Sequence, residues 1–285
     1  MRFETKKEVL DWYEAQPASL TDDFRSAIDW SQVRKYSFNE RLVPVLFYMR
    51  DVESLTDMYY RELRRTPTGR DRDISKFMER WGEEELVHGE VLNRFLNELG
   101  FETNERWQDQ VRTSVGYFYR AHAYAITTLT NLIGKQFTGT HMVFGAINEM
   151  TTGQAYRRLM KIADHPVLTR ILRAIIREES LHTSFYASVA RLELEKGPIP
   201  QKLARFVIDR FWEPVGGGAL GQARSNYVIA QLFGDDEGRR VLDTTVTKRL
   251  NEFPGFDGIA KIDESVEKCI QAGRMAFRAT PQAAL

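Results

Sequence analysis

Two pairs of residues stand at a spacing that suits metal ligation: Glu85-Leu86-Val87-His88 and Glu179-Ser180-Leu181-His182. On an α-helix, positions i and i+3 differ by about 60° around the axis, so carboxylate and imidazole point into one small volume and one ion can take both. A single Glu-x-x-His is common on solvated helix faces, and the neighbours set these two apart. Met78 and Trp81 stand seven and four residues before Glu85, and Leu92 seven after it. Leu172, Ile175 and Ile176 precede Glu179 at the same kind of offsets, and Tyr186 follows at plus seven. Both glutamates therefore fall inside apolar stripes. A bare carboxylate there carries a large desolvation penalty unless it is paired or metal-bound.

If two helices each supply a Glu-x-x-His, two others should each supply one inward glutamate. Glu53 follows Leu46 and Met49 and precedes Tyr60 at helical spacing, and Glu149 lies between Met142 and Tyr156. Glu53 precedes Glu85 by 32 residues and Glu149 precedes Glu179 by 30, which sets each pair at similar heights in an antiparallel hairpin. The expected ligands are thus Glu53, Glu85, His88, Glu149, Glu179 and His182. Four carboxylates are neutralised by two divalent ions. Oxygen-rich ligation with two imidazoles suits iron, with manganese as the alternative, whereas a structural zinc site would show thiolates. Glu84, Glu178 and Asp57 are candidates to accept from the free imidazole nitrogens. His122 and His141 lack an acid placed for chelation, and His165, beside Pro166 at a helix break, is expected to be exposed.

The elements that must position these residues are helical throughout, because no segment combines alternation, β-branched enrichment and hairpin turns. The expected fold is all-α, a four-helix bundle with further N-terminal and C-terminal helices in a single domain over 1–285. Two short helices are expected near 5–15 and 20–30. The bundle core, about 38–196, comprises a helix from Phe38 to Arg65, one from Ile74 to Leu99 closed by Gly100, a connecting helix over 110–135, and two more over 139–163 and 166–196. The tail reads as about four shorter helices. Gly82, Gly89, Gly145 and Gly153 flank Glu85 and Glu149, which suits either close helix packing or space left for a small ligand. Tyr117-Phe118-Tyr119 and Phe144 read as core packing, with the lining of a substrate channel as the alternative.

Lys+Arg and Asp+Glu both total 40 in 285 residues, so the chain has no cationic excess and nucleic acid is not an expected partner. The N-terminal segment lacks the apolar core of a secretory signal. The weakly polar stretch from Val115 to Gly134 contains Arg120, His122 and Asn131, so no membrane span is expected. The lone Cys269 fits a reducing compartment and reads as an ordinary helix residue, which makes a cytoplasmic location the expectation.

At the ligand residues the chain resembles the soluble acyl-carrier-protein desaturases of the ferritin-like di-iron superfamily. The family's E-E-N-R-H-G is similar to Glu84-Glu85-Leu86-Val87-His88-Gly89, and its D-E-K-R-H-E to Glu178-Glu179-Ser180-Leu181-His182-Thr183. Its lone glutamate in E-R-A-T is similar to Glu149-Met150-Thr151-Thr152. Glu53 carries over by order and spacing. The resemblance implies a ferritin-like bundle holding two iron ions that reduce dioxygen and remove hydrogen from an unactivated C–H bond. It further implies a fatty acyl or similar substrate, a ferredoxin-like electron donor, an acyl carrier protein as partner, a homodimer, and a catalytic role in proton delivery for Thr152. Hydroxylation or N-oxygenation of a small molecule is the alternative within the same chemistry, and ferritin-type iron storage the alternative of another class. The cluster Arg61, Arg64, Arg65, Arg70 and Arg72 reads as a solvated loop, with a landing site for an acidic carrier as the second reading.

Overall fold

The computed structural model describes residues 2–279, and among them there is no strand. Helix α1 (Lys6–Glu14) starts at Thr5, whose hydroxyl accepts from the Glu8 amide, and α2 (Asp22–Ser26) starts at Thr21 through the Phe24 amide. A 3-10 turn over Trp30–Lys35 follows.

The first bundle helix does not run unbroken from Phe38 to Arg65. It is α3 (Val43–Ser54), with Pro44 in its first turn, and then α4 (Thr56–Leu63), parted at Leu55. There the Leu55 amide reaches back to the Val52 carbonyl at 3.0 Å and the Met58 amide to that of Leu55 at 2.9 Å, three-residue bonds that tighten the chain locally. Helix α5 (Arg72–Leu99) is capped by the Asp71 carboxylate at one end. At the other stands Gly100 at φ 106°, a left-handed conformation natural to glycine. The single connecting helix expected over 110–135 is two, α6 (Trp107–Ser114) and α7 (Tyr117–Ile133), parted at Val115-Gly116. Helices α8 (Thr138–Ala163) and α9 (Pro166–Leu194) meet at Asp164, and Pro166 opens α9.

Helices α3, α5, α8 and α9 form the bundle: α3 packs along α5, α8 along α9, and α5 faces α9. Leu46, Leu92, Ile147 and Ile175 are fully buried between them, and Phe77 stacks on Phe185 with ring centroids 3.7 Å apart. The tail holds α10 (Pro198–Phe211), α11 (Gly217–Leu220), α12 (Gln222–Phe233), α13 (Asp236–Leu242), α14 (Lys248–Asn251) and the long α15 (Lys261–Ala279), more elements than the four expected. Helix α12 lies against α3 and α8, and α15 covers α12. Polar ties fix this brace: Arg224 pairs with Asp51 of α3 at 2.8 Å, and the Tyr48 hydroxyl donates to the Val215 carbonyl at 2.7 Å. Buried Arg158 of α8 donates to the Leu232 carbonyl at 2.9 Å.

His165 is buried, contrary to expectation. The turn at Trp30–Lys35 covers it, its Nε2 lies 3.0 Å from the Val33 carbonyl, and its Nδ1 accepts from the Leu168 amide, so it caps α9. Tyr117 and Phe118 are 79% and 88% exposed and neither pack in the core nor line an interior channel. Phe144 is half-buried against the core. In the basic segment, Arg61 pairs with Asp57 and Arg65 with Glu62, which leaves it a largely self-neutralised loop. Among the described residues no helix is long and apolar enough to cross a membrane.

Candidate metal centre

Glu85 and His88 project from α5, Glu179 and His182 from α9, Glu53 from α3 and Glu149 from α8, and all six are buried. They fall into two overlapping groups: Glu53, Glu85, His88 and Glu179, and Glu85, Glu149, Glu179 and His182. Within each group, one ligand atom per residue lies within 4.8 Å of all the others. Glu85 and Glu179 belong to both groups, Glu53 and His88 only to the first, and Glu149 and His182 only to the second. His88 Nδ1 lies 3.3 Å from Glu85 Oε2 and 3.5 Å from Glu179 Oε1. His182 Nδ1 lies 3.1 Å from Glu85 Oε1 and 3.6 Å from Glu149 Oε2.

The arrangement fits a cation pair. Both Nδ1 atoms and both Glu179 oxygens are buried without a hydrogen-bond partner, although buried polar groups are nearly always satisfied. Their lone pairs converge on the same interior volume. Left to the protein's own charges, burial and the neighbouring Glu85 push the Glu53 carboxyl well above its ordinary range, and burial with Glu179 does the same to Glu149. Burial also acts to raise Glu85, but hydrogen bonds with Glu53, His182 and His88 outweigh it and hold Glu85 well below. Both imidazoles are raised despite burial, His88 by the carboxylates around it and His182 by Tyr13 and then by its own surrounding carboxylates. Two divalent ions would replace these protons and let all four carboxylates ionise.

The outward nitrogens are held reciprocally. His88 Nε2 on α5 lies 2.8 Å from Glu178 of α9, and His182 Nε2 on α9 lies 2.8 Å from Glu84 of α5. Each acceptor is itself fixed. Glu178 accepts from the Leu20 amide at 3.0 Å and from that of Ser19. Glu84 accepts from the Tyr13 hydroxyl at 2.7 Å and Arg80 Nε at 2.8 Å. Burial works against the Glu84 carboxylate, but its hydrogen bond with His182 and its other donors hold it at about 2. Asp57, the third candidate acceptor, instead pairs with Arg61 at 2.7 Å.

The two lone glutamates have donors of their own. The Tyr156 hydroxyl donates to Glu53 Oε1, and Trp81 Nε1 donates to Glu149 Oε1 at 3.2 Å. In the sequence Trp81 and Tyr156 read only as apolar markers of the stripes. Their polar tips at minus four from Glu85 and plus seven from Glu149 were the available signal. Tyr13, from α1 outside the bundle, had none. Thr152, three residues after Glu149, is half-buried, whereas its neighbour Thr151 spends its hydroxyl on the Ile147 carbonyl at 2.8 Å.

The flanking glycines divide. A side chain at Gly145 would enter the Tyr186 ring, so this glycine allows a close approach, whereas a Cβ at Gly89 or Gly153 would make only ordinary contact, 3.5 Å from the Glu53 Cβ and 3.7 Å from the Glu179 Cβ. Only Gly82 of the four faces open space.

No curated protein matches the chain. Residues 50–190, which hold all six converging side chains, match the rubrerythrin family model, so this segment is similar to a ferritin-like di-iron carboxylate family.

Proposed function

We propose that the chain is a non-haem di-iron oxidoreductase that activates dioxygen to oxidise an unactivated C–H bond, with a fatty acyl chain on an acyl carrier protein as substrate. The observation that carries this reading is the convergence of two Glu-x-x-His pairs and two lone glutamates in one buried volume whose imidazole Nδ1 atoms have no other partner. Glu53, Glu85, His88, Glu149, Glu179 and His182 would hold the ions. When bound, two ferrous ions would supply redox chemistry, passing on to dioxygen two electrons received from the donor.

The remaining work falls to the chain's own residues. Glu178 and Glu84 orient the imidazoles so that Nδ1 faces the ions. Tyr156 and Trp81 each occupy one oxygen of a lone glutamate and leave the other free to ligate. Phe77 and Trp81 of α5 and Phe185 and Tyr186 of α9, all buried and in ring contact with one another, exclude water from the interior beside the site. Thr152 delivers a proton through its hydroxyl. Desaturation withdraws two electrons from the substrate while dioxygen needs four to become two waters, so a ferredoxin-like donor supplies the other two.

The test is anaerobic reconstitution with ferrous iron, then a single turnover with dioxygen, a reduced ferredoxin and acyl carrier protein loaded with saturated chains. Two irons per chain and an unsaturated product support the reading. Oxidation of a small amine or alkane with acyl chains untouched moves the assignment to N-oxygenation or hydroxylation. Ferric ion accumulating far beyond two per chain, with no organic product, makes the protein an iron store.

A further inference from the structure

Helix α9 turns Glu179 and His182 inward and a row of arginines to solvent. Arg170, Arg173 and Arg177 recur at i, i+3 and i+7, the spacing of neighbours on a helix surface, and all three are exposed. Like charges at that spacing destabilise a helix. Elsewhere in this chain an arginine often has an acid one turn away, as Arg61 has Asp57, Arg80 has Glu84 and Arg205 has Asp209. On this face none does. Arg173 and Arg177 make no ion pair or hydrogen bond with any described residue, and Arg170 donates only to the Ala27 carbonyl, at 2.8 Å.

The three guanidiniums do not stand on a flat surface. With Ser19, Phe24 and Thr169 they line a cleft of about 260 Å³ between α9 and residues 19–24. No acid lines it. Glu178, next to Arg177 in the chain, is buried and turned to His88 and to the Ser19 and Leu20 amides, and Asp22 pairs with Arg25. The Ser19 and Thr169 hydroxyls have no hydrogen-bond partner among the described residues. Half-buried Phe24 makes an apolar wall, with the Arg170 guanidinium 5.2 Å from its ring centroid.

We propose that this cleft binds a phosphate monoester with a small organic body, the phosphate across Arg173 and Arg177 and the body against Phe24. Guanidinium forks match the oxygens of phosphate and carboxylate alike, and the charge separates the two. A phosphate monoester carries about −1.5 to −2 at pH 7 and offers three acceptor oxygens, whereas a carboxylate brings one charge and two oxygens. The ester therefore answers more of the three guanidiniums and both hydroxyls. The cleft lies just below the range of about 300–1,000 Å³ usual for small-molecule sites, which keeps the body small. Ser19 joins the cleft to the bundle interior: its amide donates to Glu178, the partner of His88, so an anion held here also fastens residues 19–24 over that acceptor.

The site does not depend on the proposed reaction and is tested without it, on the full-length chain in its metal-free form so that no phosphate is held by iron. Isothermal titration with phenyl phosphate should show saturable binding at one site per chain. Arg173→Gln and Arg177→Gln should each weaken it by about tenfold or more, the usual scale for a lost charge-assisted hydrogen bond, with an unchanged far-ultraviolet circular dichroism spectrum. Arg72→Gln, an exposed arginine outside the cleft, should leave binding intact. Inorganic phosphate, which lacks the organic body, should bind more weakly. Phosphatidic acid presents the same group on a lipid. Vesicles of it that co-sediment with wild type and not with the two cleft variants would support the site with a lipid as the source, and vesicles left unbound while phenyl phosphate binds support it with a soluble ester. No saturable binding, binding that survives both cleft substitutions, or equal weakening by Arg72→Gln overturns the proposal. Equal affinity for inorganic phosphate overturns the ester.

Discussion

His88 of α5 is hydrogen-bonded through Nε2 to Glu178, the residue just before Glu179 on the facing helix, at 2.8 Å. His182 and Glu84 repeat the relationship in the opposite direction. Each Glu-Glu-x-x-His run therefore supplies two of the converging side chains on its own side and the acceptor for the histidine across the bundle. A helix needs adjacent acids for this, because neighbours 100° apart reach the metal volume and the facing helix separately.

Glu178→Gln keeps the shape and removes the charge that fixes the His88 ring. Such outer partners are typically worth about 10- to 100-fold in metal affinity. Competition against a chromophoric chelator should show that loss for one of two ferrous ions, with helicity unchanged. Equal affinity in wild type and variant would mean that the Ser19 and Leu20 amides, not His88, are the reason for Glu178.

Tyr156→Phe and Trp81→Phe delete the donors to Glu53 and Glu149 while keeping aromatic bulk. Each should weaken iron binding at its own end of the centre by about tenfold. The double variant should add the two effects, because the donors serve different glutamates. Titration with cobalt, followed by its visible absorption, separates the two steps. Identical isotherms for all four proteins would reduce these contacts to packing.

The convergence of the four glutamates was legible because a 3.6-residue period reports which residues share a face, and Glu53, Glu85, Glu149 and Glu179 each sit in such a stripe. What failed to show in the sequence depends on contacts distant along the chain. His165 looked exposed beside a proline, but residues 30–35 cover it. The break at Leu55 has no glycine or proline to announce it. The tail's ties to α3 and α8 come from Arg224, Tyr48 and Arg158, ordinary surface types until a distant segment meets them. The aromatic start of α7 carries a core-like composition, and only the structure shows it facing outward.

His141 gives a pH dependence. Its Nδ1 lies 2.7 Å from the Thr68 hydroxyl, and burial holds its pKa down from 6.5 to about 3. The unfolded chain takes up a proton as pH falls through 6.5, and the folded chain does not until about 3. The unfolded state then binds more protons, so this contribution to stability is complete above 6.5 and is lost progressively as pH falls through that window. Thermal unfolding of the metal-free protein between pH 7 and pH 4 should show a steeper fall in wild type than in His141→Gln. Parallel curves would place the acid sensitivity elsewhere.

Gly82 of α5 and Gly145 of α8 stand three residues before Glu85 and four before Glu149, yet opposite outcomes follow for the same substitution. At Gly145 an added Cβ would lie 2.3 Å from Tyr186 Cε1, inside a ring that is fully buried and hydrogen-bonded to Met78 Sδ. The ring cannot yield without disturbing Phe77 and Trp81, which it meets edge-on. Gly145→Ala should therefore cost about 1–3 kcal/mol, the usual range for overpacking. At Gly82 nothing lies within 4 Å, so Gly82→Ala gains helix propensity with no clash and should stabilise by about 0.5–1 kcal/mol. Urea unfolding of the metal-free proteins measures both. A neutral Gly145→Ala would show that α8 and α9 can separate at the metal centre, and a destabilising Gly82→Ala would show that the open space beside α5 closes in solution.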